Sequence, residues 1–137
     1  MLSAKFAKIR GSSVLILVIA LTGCTSAPPE QKENICKIFS EKSGWYKDAK
    51  KSSRRWGTDI TVMMSIMYQE SSFMARARPP RTKILWVLPG PRPASAYGYA
   101  QATNGTWRAY QSATGRGGAD RNKFDDAIDF ILSLIHI

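Results

Sequence analysis

The stretch that most restricts the fold is Ile60-Thr61-Val62-Met63-Met64-Ser65-Ile66-Met67-Tyr68-Gln69-Glu70, followed by Ser71-Ser72-Phe73. At helical spacing Ile60, Met63, Met64 and Met67 share one stripe, and Val62 and Ile66 widen it until little of the helix is left for water. Thr58 is placed to cap the N-terminus, with Asp59 favourable in the first turn. A helix apolar almost all round belongs in a core, and a carboxylate on its last turn leaves that core at the wall of a cleft. Desolvation and the negative end of the helix dipole both disfavour the charged form there. A carboxyl that keeps its proton near neutral pH is what a general acid requires. Glu70 is therefore the candidate catalyst, weighed against the plain alternative of a surface Glu at a helix end.

The start of the chain points to export. Residues 1–23 have the order of a leader, with Lys5, Lys8 and Arg10 ahead of an apolar run, Val14 to Leu21, too short to span a bilayer. The run leads into Leu21-Thr22-Gly23-Cys24, which resembles the lipobox of bacterial lipoproteins. That resemblance implies acylation of Cys24 and cleavage just before it; the alternative is a general export signal with an incidental cysteine. Thr25 stands where an Asp would suggest inner-membrane retention, so the expected location is the periplasmic face of the outer membrane. Residues 24–33, with Pro28-Pro29, form the lipidated tether, and Ser26 to Gln31 reach only about 20–30 Å when extended. With Cys24 acylated, Cys36 has no partner, which in an oxidising compartment means a buried thiol or a missing partner, the buried thiol being the expectation from the sequence as it stands.

The formal charge is +10, and the leader removes three basic residues and no acid, so the remainder keeps about +7. Nucleic acid is the usual partner of such a balance, but an exported lipoprotein does not meet it. Anionic lipid headgroups, lipopolysaccharide and the carboxylates of peptidoglycan stem peptides are the polyanions at hand.

Between the tether and the candidate catalytic helix the pattern predicts helices over about 33–42 and 45–56. The second exposes Lys47, Lys50, Lys51, Arg54 and Arg55, either a solvated face or a binding face. Residues 75–95 have no regular pattern: Arg76, Arg78, Arg81, Lys83 and Arg92 alternate with five prolines around Ile84-Leu85-Trp86-Val87-Leu88. A segment that long is a lid over a cleft, a membrane-touching finger or a packed insertion. Helices are expected again from Asn104 to Ala113, carrying Trp107 and Tyr110, and after Gly118, with Phe124, Ala127, Ile128 and Ile131 on one face. The fold class is all-α, without strands.

The chemistry narrows by elimination. One histidine and one free cysteine make neither a zinc site nor a Ser-His or Cys-His nucleophile, and Gly115-Arg116-Gly117-Gly118 lacks the Lys-Ser or Lys-Thr of a phosphate loop. No metal and no cofactor are expected. A two-carboxylate glycosidase needs its second acid within about 5–10 Å, and Asp59 is about 16 Å away along the same helix. Asp120, Asp125, Asp126 and Asp129 fall on the capping turn and outer face of the last helix. Glu70 has no evident partner.

Glu70-Ser71-Ser72-Phe73, then Ala96-Tyr97-Gly98-Tyr99-Ala100-Gln101 and an Ala-Thr helix start, resemble the soluble lytic transglycosylases, which share the goose-type lysozyme fold. The resemblance covers about Trp56 to Ile131. It implies cleavage of the β-1,4 bond between N-acetylmuramic acid and N-acetylglucosamine by a single Glu, acting as acid and then as base, with closure of a 1,6-anhydro ring. Residue by residue, Glu70 matches the catalyst and Ser71 its neighbour. Gly98 and Gln101 match the facing wall, Gly98 for close approach to the glycan and Gln101 for amide hydrogen bonds. Tyr99 and Ala100 replace the usual Leu-Met; Tyr97, Tyr99, Trp107 and Tyr110 are either sugar platforms or core. A hydrolytic muramidase and a non-catalytic peptidoglycan-binding lipoprotein are the alternatives.

The chain departs from the family at its end. The family's third signature, an Ala-Tyr-Asn-like stretch, normally lies further on, and Tyr110 comes too early to replace it. Leu132-Ser133-Leu134-Ile135-His136-Ile137 resembles the translation of a transposon-end sequencing adapter. The domain is therefore expected to occupy 34–131 and to be incomplete at its C-terminus, with 132–137 a non-native tail and the 137-residue chain poorly active.

Overall fold

The computed structural model describes residues 27–85 and 88–136. The leader and Cys24 lie outside them. Among the described residues the chain runs α1 (Ile35–Glu41), α2 (Trp45–Trp56), α3 (Ile60–Ser71), a hairpin of β1 (Lys83–Ile84) and β2 (Leu88–Pro89), α4 (Asn104–Thr114) and α5 (Phe124–His136). The all-α class holds, with one addition. The segment expected to be irregular carries an antiparallel ladder pairing Lys83 with Pro89 and Ile84 with Leu88. Two residues a side are too few to alternate visibly in a sequence, so the periodicity misses them.

Several helix boundaries have a local cause. Asn34 caps α1 by accepting from the Lys37 N–H. Gly57 ends α2 in the left-handed region at φ 68°, its N–H bonded to the Ser53 carbonyl, as a C-terminal glycine does. Asp59, not Thr58, caps α3: its carboxylate accepts from the Thr61 N–H at 2.7 Å. Thr103 caps α4 in the same way through Thr106.

α5 packs on α2, α3 and α4 and forms the spine of the domain. Ile128 and Leu132 are fully buried, as are Met63 and Met67 of α3. Only one side of α3 is covered. Val62 and Tyr68 stay exposed, so α3 is half-buried instead of enclosed all round. Cys36 is exposed, contrary to expectation. On α1 the inward stripe is Ile35, Ile38 and Phe39, and Cys36 turns away from it.

Aromatic rings fix the layers. The Trp45 ring stacks on Phe124 at 3.9 Å and meets Tyr99 and Phe73 at 5.7 and 6.0 Å. Trp107, Tyr110 and Phe130 form a second cluster with centroids 5.1–5.4 Å apart. Trp107 and Tyr110 are therefore core, not sugar platforms. α5 continues past Ile131 to His136, and Leu132 and Ser133 on it are fully buried. His136 stacks on Trp56 and its Nε2 lies 2.9 Å from the Thr58 hydroxyl.

The acids of α5 also depart from expectation. Asp126 and Asp129 are buried. Asp129 accepts from Trp56 Nε1 at 2.9 Å, the Tyr110 hydroxyl at 2.8 Å, Arg116 Nη1 at 2.8 Å and Arg55 Nη1 at 3.2 Å. Asp126 takes Arg116 Nη2 and the Asp120 N–H. Burial alone would raise the Asp129 carboxyl, but the bonds from Trp56, Tyr110 and Arg116 and the charge of Arg55 outweigh it and hold it below the usual carboxylate range. Burial, then the bond to Asp129, pushes the Tyr110 phenol up. A carboxylate held low in the folded state contributes stability above its unfolded value of about 3.9, and loses it as pH falls through the lower folded value. Asp129→Asn is expected to cost roughly 3 kcal/mol, the low end for breaking a buried pair, since both arginines keep partial access to water. Urea midpoints at pH 7 and pH 3 check this: the gap between variant and parent should narrow at the lower pH.

Candidate active site

Glu70 sits on the last turn of α3, three residues after Met67 and seven after Met63, so the buried stripe points at it. The carboxylate itself is exposed, and among the described residues it makes no hydrogen bond or ion pair. The expectation of a buried acid is thus corrected. The physical reason is that the covered face of α3 carries Met63, Met64, Met67 and Ser71, whereas Tyr68, Gln69 and Glu70 lie on its exposed side.

The backbone after Glu70 is unusual. Ser72 and Phe73 are successive non-glycine residues at positive φ, 50° and 61°. Each such residue costs on the order of 1–3 kcal/mol and persists only where its surroundings impose it. Here the imposing contact is the burial of Phe73 between Trp45 and Tyr68. The chain reverses sharply at the end of α3, and the Phe73 ring is driven back into the core. Ser71 is buried too, its hydroxyl donating to the Met67 carbonyl at 3.2 Å. It braces the turn and is not presented to a ligand.

The second motif closes on itself. Tyr97 and Ala102 form an isolated antiparallel bridge, and between them Gly98 and Gln101 take positive φ, 82° and 46°. A Cβ at Gly98 would collide with the carbonyl of Arg121. The glycine is required there by protein backbone, not by an approaching glycan. Gln101 Nε2 donates to the Ala77 carbonyl at 3.0 Å and the Gly98 carbonyl at 2.8 Å, and the Gly98 N–H also reaches Ala77. The two motifs therefore meet: the loop carrying Gln101 is clipped to the segment that leaves the Glu70 turn.

Two tyrosines have other duties. Tyr99 is 1% exposed within the Trp45 cluster. Tyr97 is half-buried, with the guanidiniums of Arg78 and Arg121 over its ring at 4.3 and 5.3 Å. Arg121 escaped the sequence reading. Its Nη1 donates to the carbonyls of Ser95 and Ala102, and its own carbonyl accepts from Tyr99. Its only sequence signal was an arginine beside a predicted helix start.

A cavity of about 260 Å³ opens on the other side of α3, lined by Met64, Ser65, Tyr68, Glu33 and neighbours. Residue 70 lies two positions beyond 68, about 200° around the helix. The carboxylate of Glu33, which accepts from the Tyr68 hydroxyl at 3.1 Å, is therefore on the wrong side to act as a second acid.

The model of the transglycosylase SLT domain family matches residues 12–135. The chain belongs to that family. No curated protein and no solved structure matches it. The helical body is accordingly a lysozyme-like SLT domain, and the family points to transglycosylase-type chemistry on peptidoglycan. In this SLT domain the clip at Ala77 depends on Gly98. Gly98→Ala is expected to lower the thermal midpoint by several degrees, from a left-handed strain of about 1–3 kcal/mol plus the collision with Arg121. Gly117→Ala, at an open position with nothing within 4 Å, is the control and should change little.

Proposed function

We propose that the chain is a lytic transglycosylase that cleaves the bond between N-acetylmuramic acid and N-acetylglucosamine and leaves 1,6-anhydromuramyl ends. The observation that carries the reading is the position of Glu70: a carboxylate with no hydrogen-bond or ion-pair partner among the described residues, ending the buried stripe of α3 ahead of the Phe73 turn, in a chain of the SLT family. Glu70 donates its proton to the glycosidic oxygen as the bond to the muramyl C1 breaks. It then takes the proton of the muramyl C6 hydroxyl as O6 closes on C1, and is restored without water. One carboxyl serves both steps, so no second acid is needed.

The exposed setting of Glu70 bears on how the proton is held. A glycan lying over the last turn of α3 supplies the cover that the described residues do not, excluding water from the carboxyl. Gly98 and Gln101 act as positioning residues, through the clip at Ala77. The anchor belongs to the same proposal: Cys24 carries the lipid and holds the domain at the periplasmic face of the outer membrane, next to the glycan strands. A second reading, a non-catalytic peptidoglycan-binding lipoprotein, is favoured by that same exposure.

Glu70→Gln in the full chain separates the two. It should lower release of soluble fragments from purified sacculi by about 100- to 10,000-fold, without changing the thermal midpoint; unchanged turnover removes Glu70 as catalyst. Mass spectrometry of the products distinguishes a hydrolytic muramidase, since an anhydro end is one water lighter. Cys24→Ser should abolish incorporation of labelled fatty acid into the protein.

A further inference from the structure

The arm from Pro79 to Arg92 is not used by the chemistry above, and it is built. Thr82 bonds the Pro91 carbonyl through both its N–H and its hydroxyl, Gly90 N–H returns to the Thr82 carbonyl, and Arg92 Nε donates to Pro79. A side chain at Gly90 would meet Thr82 and Ile84, so the two strands close tightly there. Prolines at 79, 80, 89, 91 and 93 stiffen the arm and remove edge N–H donors, which blunts pairing with another chain.

Its end is apolar and its base is cationic. Leu85 is 77% exposed, and Ile84 and Leu88 are about half exposed. Arg81, Lys83 and Arg92 are exposed and make no ion pair among the described residues. No acid occurs between Glu70 and Asp120, so nothing in the arm offsets its charge. At about 3.3 Å per strand residue, Lys83 stands about 7 Å and Arg81 about 13 Å behind Leu85. Apolar side chains sink about 5–10 Å into the boundary between headgroups and acyl chains. That depth would submerge Leu85 with Ile84 and Leu88 and leave the cations among the phosphates. A glycan strand offers hydroxyls and amides, for which exposed Ile and Leu side chains provide no partner.

We infer that the hairpin of β1 and β2 is a membrane-contact finger: Ile84, Leu85 and Leu88 enter a bilayer rich in anionic phospholipid while Arg81, Lys83 and Arg92 bind its phosphates. The contact is independent of any lipid on Cys24 and orients the domain on the surface.

The test places an environment-sensitive dye at Leu85→Cys, in the full chain carrying Cys24→Ser and Cys36→Ser, with Ser112→Cys on α4 as comparator. Vesicles contain either phosphatidylglycerol or only phosphatidylcholine. Because the signal is local to residue 85, attachment through another part of the chain does not imitate it. The expected result is a several-fold rise in emission at residue 85, with quenching by spin-labelled acyl chains, on phosphatidylglycerol alone and not at residue 112. Arg81→Gln with Arg92→Gln should reduce the inserted fraction roughly tenfold or more. A label at Leu88→Cys repeats the measurement should the first variant fold poorly. The inference is overturned if both labels stay in water on vesicles that carry bound protein, if phosphatidylcholine gives the same rise, or if sacculi shield residue 85 and vesicles do not.

Discussion

The indole of Trp45 is the contact on which the rest of the domain depends. It stacks on Phe124 at the start of α5 and meets Tyr99 of the wall loop and Phe73 of the turn after α3. Three separate segments thus converge on one ring of α2. Each aromatic pair adds about 0.5–1.5 kcal/mol beyond its buried area, but their geometric effect is larger. They set the position of the Gln101 loop against the end of α3, which decides whether Glu70 faces anything at all. Asp129 does the equivalent at the other end of α2, gathering Trp56, Arg55, Tyr110 and Arg116 around one carboxylate.

Between those two anchors the strain near Glu70 becomes intelligible. Ser72 and Phe73 adopt left-handed conformations because the Phe73 ring is held in the aromatic cluster while α3 must stop at once. A helix stopped by packing, without a glycine, keeps its last turn fixed. The carboxylate on that turn is mobile only in its own side chain. A rigid support under an exposed acid suits a site that a polymer covers on binding.

Much of this was legible in the sequence where the cause was local. Gly57 marked the end of α2, Thr103 lies one residue ahead of the expected start of α4, and the spacing of Met63 and Met67 led to Glu70. What was not legible came from distance. Asp126 and Asp129 looked like an outer face because their partners, Arg116, Arg55 and Trp56, lie up to 74 residues away. Gly98 was read as making room for a ligand, yet the neighbour it admits is the Arg121 backbone. Tyr99 was placed at the wall because its motif is there; only the fold shows that its ring points inward. The exposure of Glu70 was missed for the same reason, since periodicity says which stripe a residue is on and not where the neighbouring helices end.

The hydrogen bonds from Gly98 and Gln101 to Ala77 have a consequence for how such a chain can vary. They bring residues 77 and 98 together, so the twenty residues between them form a side excursion whose two ends are already joined. Closing such an excursion costs only about 0.6 kcal/mol more for each doubling of its length. Evolution can therefore lengthen, trim or exchange the segment almost freely. Kin of this chain can differ there from a bare turn to a long appendage while the helices on either side stay in register.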